Sequence, residues 1–368
     1  MKIDIILPYK EIFSENKASA VSLTVKNSFE FSKFKKKIII YGQHTNEPFY
    51  KKNFIGIKPR RLIHFGNNLS IVKQYIKLTK NNDNKKIIEI HNRPYLFNYL
   101  INKISNIPIV IYYHNDATTM KGSKTVNERK EIIKNAAGIV FVSEFIKKQF
   151  LKGIKSRPKN IYVLPNGIKR ISKKKPTKEK KVLFVGRLVE EKGAHIYVNS
   201  LENIVKKFPD WKFIIIGTSK AGQKKLITSY EKKTVDTFLR LGKRVKYYGF
   251  LPNSKVKQIM SKSSILVVPS IWDDPFPLVA LEGLATSQAV IASSRGGLIE
   301  MLNNSGILIK NIDSKKLEKK LYDLIKNRKK LLYYQNIAWK NFKYEQKIIS
   351  KKQDVIRQEI INKYLVEK

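Results

Sequence analysis

Short runs of branched apolar residues, each followed by a turn and then a helical pattern, recur along most of this 368-residue chain. No other feature narrows the fold as much. Strands and helices in alternation bury their apolar faces as a parallel sheet covered by helices. The strand candidates are KIDIILPY (2–9), KKIII (36–40), KIIEIHN (86–92), PIVIYYHN (108–115), GIVFVSE (138–144) and NIYVLPNG (160–167). Helical stretches run from Ala20 to Phe34, Tyr95 to Lys103 and Val126 to Ala136, and a less regular basic section follows the second strand. The alternation pauses at KRISKKKPTKEK (169–180), which has almost no apolar content and carries Pro176, and so reads as a linker. It resumes with KVLFVG (181–186), WKFIIIG (211–217), VKYYGFL (245–251), ILVVP (265–269), AVIAS (289–293) and GILI (306–309). Helices are expected there from about Ala194, Gln223, Asn253, Pro277, Leu298 and Ser314.

The expected fold class is therefore α/β, with two Rossmann-like doubly wound parallel-sheet domains at 1–168 and 181–332. The linker is 169–180, and 333–368 forms a basic helical tail. A chain of this length suits two cores better than one.

Composition bears on function. The absence of cysteine excludes disulfides and thiolate metal sites and suits a reducing compartment. The start, MKIDIILPYKEIF, is too short in apolar residues for a signal peptide, and no run approaches the ~18 residues of a membrane span. The expectation is a soluble, cytoplasmic protein. Lys and Arg number 74 against 29 Asp and Glu, a formal charge of +45. Such a field favours polyanions, including the anionic inner face of a membrane, where each nearby basic residue contributes about 1 kcal/mol. The abundance of Asn and Ile fits AT-rich coding as an equal source of the lysines. The charge is spread along the chain rather than gathered in an aromatic-interleaved patch, which disfavours nucleic acid as the partner.

The most informative stretch is ILVVPSIWDDPFPLVALEGLAT (265–286). Ile265 to Val268 form an apolar strand that Pro269 stops. Asp274-Pro275 reads as a helix start, an acidic N-cap followed by proline, with Leu278, Leu281 and Ala285 at helical spacing. A helix tip beyond a parallel strand attracts anions through its free N–H groups, here those of Leu278 and Val279 beside Pro277. Asp274 and Glu282 flank that place. An isolated Asp273-Asp274 pair makes a poor divalent-metal cage, so no metal is expected.

The run from Asp274 to Glu282 resembles the acidic-x7-Glu motif of family 4 of the retaining nucleotide-sugar glycosyltransferases, usually E-G-F-G-x-x-x-x-E. PNGI (165–168), GRLVEEKG (186–193), a strand ending in His114 and a glycine strand end at Gly217 recur in that family's order. The resemblance covers nearly the whole chain. It implies the B-type glycosyltransferase (GT-B) fold, two domains facing across a cleft with the last helix crossing back to the first. It also implies a UDP-, GDP- or ADP-sugar as donor substrate, a glycan or lipid-linked acceptor and no cofactor. At matched positions it implies Arg187 and Lys192 on the donor diphosphate, Glu282 on the ribose, and Asp274 and His114 on the transferred sugar. Gly217 and Phe250, the latter within YGF (248–250), fall around the nucleobase.

His91 and Arg93, at another strand end, are candidates for an anionic acceptor. Bland readings stand beside these. Asp274 also suits a helix cap, Glu282 a solvated carboxylate, Arg187 and Lys192 surface cations, His114 a satisfied strand end, and Gly217 turn chemistry. The chain departs from the family pattern in Asp274, in Pro275 and Pro277 where glycines are usual, and in Lys17-Ala18-Ser19-Ala20 where a Gly-Gly loop meets the donor. Ala18 and Ser19 are then the donor-binding positions of that loop.

The expected function is hexosyl transfer in envelope polysaccharide or lipopolysaccharide synthesis, with peripheral contact to the inner membrane face. A catalytically weak sugar-nucleotide-binding protein and a polyanion-binding protein are the alternatives.

Overall fold

The computed structural model describes residues 1–59, 66–80, 85–104, 106–220, 222–223 and 225–366. The chain forms two compact units, Met1–Gly167 with Gln346–Lys368, and Ile168–Glu345.

The first unit is built on β1 (Lys2–Ile6), β2 (Ile38–Gln43), β3 (Phe54–Ile57), β4 (Lys86–His91), β5 (Ile109–Tyr113), β6 (Gly138–Phe141) and β7 (Ile161–Val163). They make one parallel sheet in the order β3-β2-β1-β4-β5-β6-β7. Helices cover both faces, so the central strands are apolar on both, and Ile3, Ile5, Ile87, Ile88, Val110, Ile111, Ile139 and Val140 are all buried. The strand order reverses between β1 and β4. Loops leaving those strands diverge there, and ligands of doubly wound sheets gather at such places.

The second unit holds β8 (Glu179–Val185), β9 (Lys212–Ile216), β10 (Val245–Tyr247), β11 (Ser263–Val268), β12 (Ala289–Ser293) and β13 (Ile307–Ile309). Its parallel sheet runs β10-β9-β8-β11-β12-β13 and reverses between β8 and β11. Val182, Phe184, Phe213, Ile215, Val267 and Ile291 form one layer of its core, with Leu317, Leu321 and Leu324 of the helix Ser314–Lys326 packed against them.

Several sequence expectations change. Residues 169–180 are not a free linker, because β8 already begins at Glu179 and the residues before it are anchored to the second unit. The Arg170 guanidinium lies 3.9 Å from the Trp339 ring centre and 2.7 Å from the Glu345 carboxylate. Lys178 donates to the carbonyls of Ser261 (2.8 Å) and Thr286, at the C-terminal ends of two helices whose last carbonyls need donors. Burial, reinforced by nearby Lys175, pushes the Lys178 amine down to about 7.

The tail does not begin at 333 either. Tyr333 lies inside the helix Arg328–Lys340 of the second unit, and only the helix Gln346–Val366 returns to the first, packing on the helix Ala20–Phe31. The section after β2 that reads as irregular contains β3 and the helix Asn67–Thr79, although 60–65 lie outside the described residues. The helix Glu144–Leu151 starts where the strand at 138–144 was expected to continue, and the helix expected from Gln223 starts at Ser229.

Candidate active site

In the second unit, glycines set how closely the strand ends approach. Gly217, just past β9, has φ of +133°, and a Cβ there would fall 1.9 Å from the Gly186 carbonyl oxygen. Gly193 has φ of +69°, and its Cβ would fall 2.0 Å from the Pro269 carbonyl oxygen. Backbone hydrogen bonds then tie the loops together. Leu188 N–H donates to the Thr218 carbonyl (3.2 Å), Ile271 N–H to Glu191 (2.9 Å) and Gly297 N–H to Asp274 (2.8 Å). The loops after β8, β9, β11 and β12 thus form one connected rim, centred where the strand order reverses.

Lys192 stands on the short turn Glu190–Lys192 of this rim. Its ammonium pairs with the Asp274 carboxylate and lies 5.2 Å from the Trp272 ring centre. Asp274 is only 6% exposed, and Lys192 is the cation that offsets the burial of its carboxylate. Arg187, one residue past Gly186, is exposed and has no hydrogen-bond or ion-pair partner among the described residues.

Asp274 is not a helix cap, which corrects the sequence reading. The helix runs Leu278–Ala285, with Pro277 at the N-cap and no side chain bonded to its first N–H groups. Ala280 and Leu281 donate to the Pro277 carbonyl, and Leu278 and Val279 have no intrahelical acceptor. Two helix-tip N–H groups are therefore left without an intrahelical partner, a few residues along the chain from Asp274. Glu282, a turn further on, is no solvated carboxylate: its side chain is 13% exposed, accepts from the Asn253 amide (3.3 Å) and lies 4.0 Å from the Lys257 ammonium. Burial lifts its carboxyl above the usual carboxylate range, against the pull of Lys257.

Gly217 is held from both sides. Its N–H donates to the Gly249 carbonyl (2.7 Å), and the Tyr247 hydroxyl donates to its carbonyl (3.1 Å). Phe250, next along, keeps its ring partly exposed. Sequence reasoning missed Glu231, although the signal was present as Thr228-x-x-Glu231, a capping box. Its carboxylate accepts from the N–H groups of Ser219, Ile227 and Thr228 and so fixes the loop after β9. Burial pushes that carboxyl up, but these hydrogen bonds outweigh it and hold it at about 2.

In the first unit, His91 ends β4 and His114 follows β5. The His91 Nδ1 lies 2.8 Å from the His114 Nε2, with the two rings 14° from parallel. His91 also stacks on Tyr112 at 4.6 Å. The Tyr112 hydroxyl donates to Glu89 (3.1 Å) and accepts from the Gln353 amide (3.0 Å), and Arg357 grips Glu89 with two bonds of 2.7 Å. Burial and then the Arg357 charge push His91 down to about 3, and burial and then His91 push His114 well below its ordinary value. His91 is 2% exposed and engaged on His114, so it does not reach an acceptor as expected.

Arg93 differs from its neighbour. It is half-buried, takes φ of 60°, and stands at the N-cap of the helix Pro94–Ile101. Its charge acts on Glu11, in the loop after β1, whose carboxyl burial raises to about 7 against the pull of Arg93. These two residues sit on the loops flanking the β1/β4 reversal. No spacing in the sequence singles Glu11 out.

Ala18 and Ser19 take ordinary φ values of −63° and −93°, so this loop follows a path that needs no glycine. Ser19 instead caps the helix Ala20–Phe31, its hydroxyl accepting from Ser22 N–H (3.4 Å) and its own N–H donating to the Ser22 hydroxyl (2.9 Å). The Ser19 N–H is thus taken up within the cap. Among the described residues no group of three or more His, Cys, Asp or Glu could hold a metal ion, and no helix is long and apolar enough to cross a membrane.

Comparison with known proteins agrees with this architecture. Residues 166–340 match the family model of glycosyl transferases group 1, and residues 36–170 that of Glycosyltransferase Family 4. The chain is 32% identical over 231 residues to uncharacterized glycosyltransferase MJ1178 of Methanocaldococcus jannaschii, covering 62% of this chain and 61% of that protein. It is 22% identical over 289 residues to the lipopolysaccharide 1,2-N-acetylglucosaminetransferase of Salmonella typhimurium, 72% of each chain. The chain spans about three fifths of the length of two curated relatives it matches, 59% and 61%. Anabaena Alr3699/HepE, solved in complex with UDP, superposes with a TM-score of 0.76 at 17% identity, over 98% of this chain and 100% of that one, a likeness of fold. With two family models that together span residues 36–340 and two parallel α/β units of matching topology, the chain belongs to the family 4-type glycosyltransferases of GT-B fold.

Proposed function

We propose that this protein is a retaining, metal-independent glycosyltransferase. It takes a hexose from a nucleoside diphosphate sugar and places it on a glycan or lipid-linked acceptor in envelope polysaccharide or lipopolysaccharide synthesis. One observation carries the reading: Lys192 is held on Asp274 beside an uncapped helix tip, at the strand-order reversal of the second unit.

Breaking the anomeric bond drives negative charge onto the departing diphosphate, and preorganised cations and N–H groups stabilise that charge without rearranging. Lys192, Arg187, which has no ion-pair partner among the described residues, and the N–H groups of Leu278 and Val279 supply them in place of a metal. Asp274, fixed by Lys192, takes hydroxyls of the transferred sugar, Glu282 takes the ribose, and Gly217 with Phe250 borders the base. For retention the leaving phosphate itself accepts the proton of the acceptor hydroxyl on the same face, so no protein nucleophile is required. UDP in the Anabaena complex and the lipopolysaccharide enzyme of Salmonella support the choice of donor and acceptor class. The charge of +45 supports an anionic membrane face as the acceptor's setting.

The test is nucleotide release and product anomer over a panel of UDP-, GDP- and ADP-sugars, with a chelator present. Turnover on one base with an anomer matching the donor is expected, and Arg187→Ala should lose on the order of 100-fold in rate with an unchanged melting temperature. Near-normal turnover in that variant would sink the proposal. Tight nucleotide binding without turnover on any sugar would favour the binding-protein alternative.

A further inference from the structure

The fold of the second unit gathers part of the charge that the sequence spreads along the chain. The end of the helix Ser314–Lys326 and the start of the helix Arg328–Lys340 border an open cavity of about 610 Å³. Its walls carry Lys319, Lys320, Lys326, Arg328 and Lys329 against one carboxylate, Asp323. Asp323 is already paired with Lys330, and none of the five cations has an ion-pair partner among the described residues. At the chain's mean density, +45 over 368 residues, residues 314–330 would carry about +2, whereas eight Lys and Arg against Glu318 and Asp323 give them +6. The other dense basic stretch, 169–181, differs because its cations are taken up. Arg170 binds Glu345, Lys175 binds Asn336, Lys178 binds helix-end carbonyls, Lys180 binds Asp210 and Lys181 binds Glu179.

The helix Arg328–Lys340 has no acidic residue and buries Leu331, Gln335 and Ala338. On its outer face Leu332 stands one turn beyond Arg328 and Tyr333 one turn beyond Lys329, and these two are 42% and 59% exposed. An aliphatic and an aromatic side chain thus meet water beside five cations that lack carboxylates. We propose that this face docks on an anionic lipid bilayer, with Lys319, Lys320, Lys326, Arg328 and Lys329 on the lipid phosphates and Leu332 and Tyr333 in the headgroup layer.

Three occupants fit the charge alone, and the rest of the face separates them. A single small phosphate is held by enclosing donors, but here all five cations are exposed around an opening far larger than one ion. Spread in this way they act together on a plane of charges. A nucleic acid backbone would use the cations but offers an exposed leucine nothing to bury against. The inner aromatic of the cavity, Tyr322, is occupied by Phe208 at 5.5 Å and by the ammonium groups of Lys207 and Lys326 at 5.2 and 5.6 Å. A bilayer uses both parts of the face: its phosphates draw the cations, and its headgroup layer takes an aliphatic chain and an amphipathic ring. The surface does not depend on the transfer reading. Where that reading holds, it keeps the second unit at the membrane that presents a lipid-linked acceptor.

Flotation of the full-length protein with vesicles tests this, using phosphatidylcholine alone and phosphatidylcholine with about 30% phosphatidylglycerol. The wild type is expected on the anionic vesicles only. Lys320→Gln, Arg328→Gln and Lys329→Gln together should lower binding on the order of 100-fold, about fivefold per cation, with an unchanged melting temperature. Lys232→Gln, Lys233→Gln and Lys243→Gln, at exposed positions of the same unit, remove equal charge and should lower it by less than about fivefold. Leu332→Ser with Tyr333→Ser should weaken vesicle binding without changing affinity for duplex DNA. The chain has no cysteine, so Tyr333→Cys labelled with a polarity-sensitive dye reads the face directly. Its emission should shift to the blue on anionic vesicles, and that of labelled Lys243→Cys should not. Equal losses in the two triple variants, an unshifted dye at position 333, vesicle binding untouched by the serine pair, or a wild type that binds duplex DNA but not anionic vesicles would overturn the proposal. No sugar nucleotide enters these assays, so their failure leaves glycosyl transfer standing, and an inactive enzyme leaves the docking surface standing.

Discussion

At the scale of single residues, motif position identified Lys192 and Asp274, but only the fold shows that they meet across 82 residues of sequence. The sequence also placed Asp274 at a helix start, because Asp-Pro before an apolar repeat is the usual capping signal. A second proline at 277 moves the start to Leu278 and frees the carboxylate for Lys192. Glu11 was not legible at all, since loop depth leaves no periodic trace. Its folded carboxyl titrates near 7 against an ordinary 4.5. Between those values the native state keeps a proton that the unfolded chain has lost, so stability from this group falls as pH rises through that window, and its cost is full above about pH 7. Glu11→Gln removes the cost. The variant should melt above the wild type at about pH 8, with the gap closing toward about pH 4.5. A gap that does not change with pH would contradict the burial assigned to Glu11.

At the scale of elements, the continuous apolar runs were legible because parallel strands are buried on both faces. Amphipathic helices with a polar inner stripe were not. The helix Gln346–Val366 turns Ser350, Gln353, Asp354 and Arg357 inward, at the spacing of one face, and from sequence that face reads as solvent-exposed. Residues 169–180 misled for a related reason, since a lysine-rich segment can still dock when its ammonium groups meet helix-end carbonyls, as Lys178 does. The buried pair of Arg357 and Glu89 gives this a measurable consequence. Arg357→Ala leaves the fully buried Glu89 without its cation and should cost ~3–5 kcal/mol by denaturant unfolding. Adding Glu89→Met to an Arg357→Met variant should recover most of that loss. Full stability in Arg357→Ala would show that the helix does not rely on the pair.

At the scale of the whole molecule, the alternation of strands and helices pointed to two doubly wound sheets, and the strand orders and family matches agree. The candidate site residues are concentrated where each order reverses. That is a property of topology, and composition does not report it: the +45 charge would suit many anionic ligands. The central claim is narrower, that the rim of the second sheet recognises a nucleoside diphosphate through Arg187, Lys192 and the tip at Pro277. Calorimetric titration of UDP, GDP and ADP into wild type, Arg187→Ala and Lys192→Ala tests it directly. The account predicts that one nucleotide binds the wild type and loses about 10- to 100-fold in affinity in each variant, about 1.4–2.8 kcal/mol. Undiminished binding in both variants, or no nucleotide binding beside steeply salt-dependent affinity for duplex DNA, would contradict it.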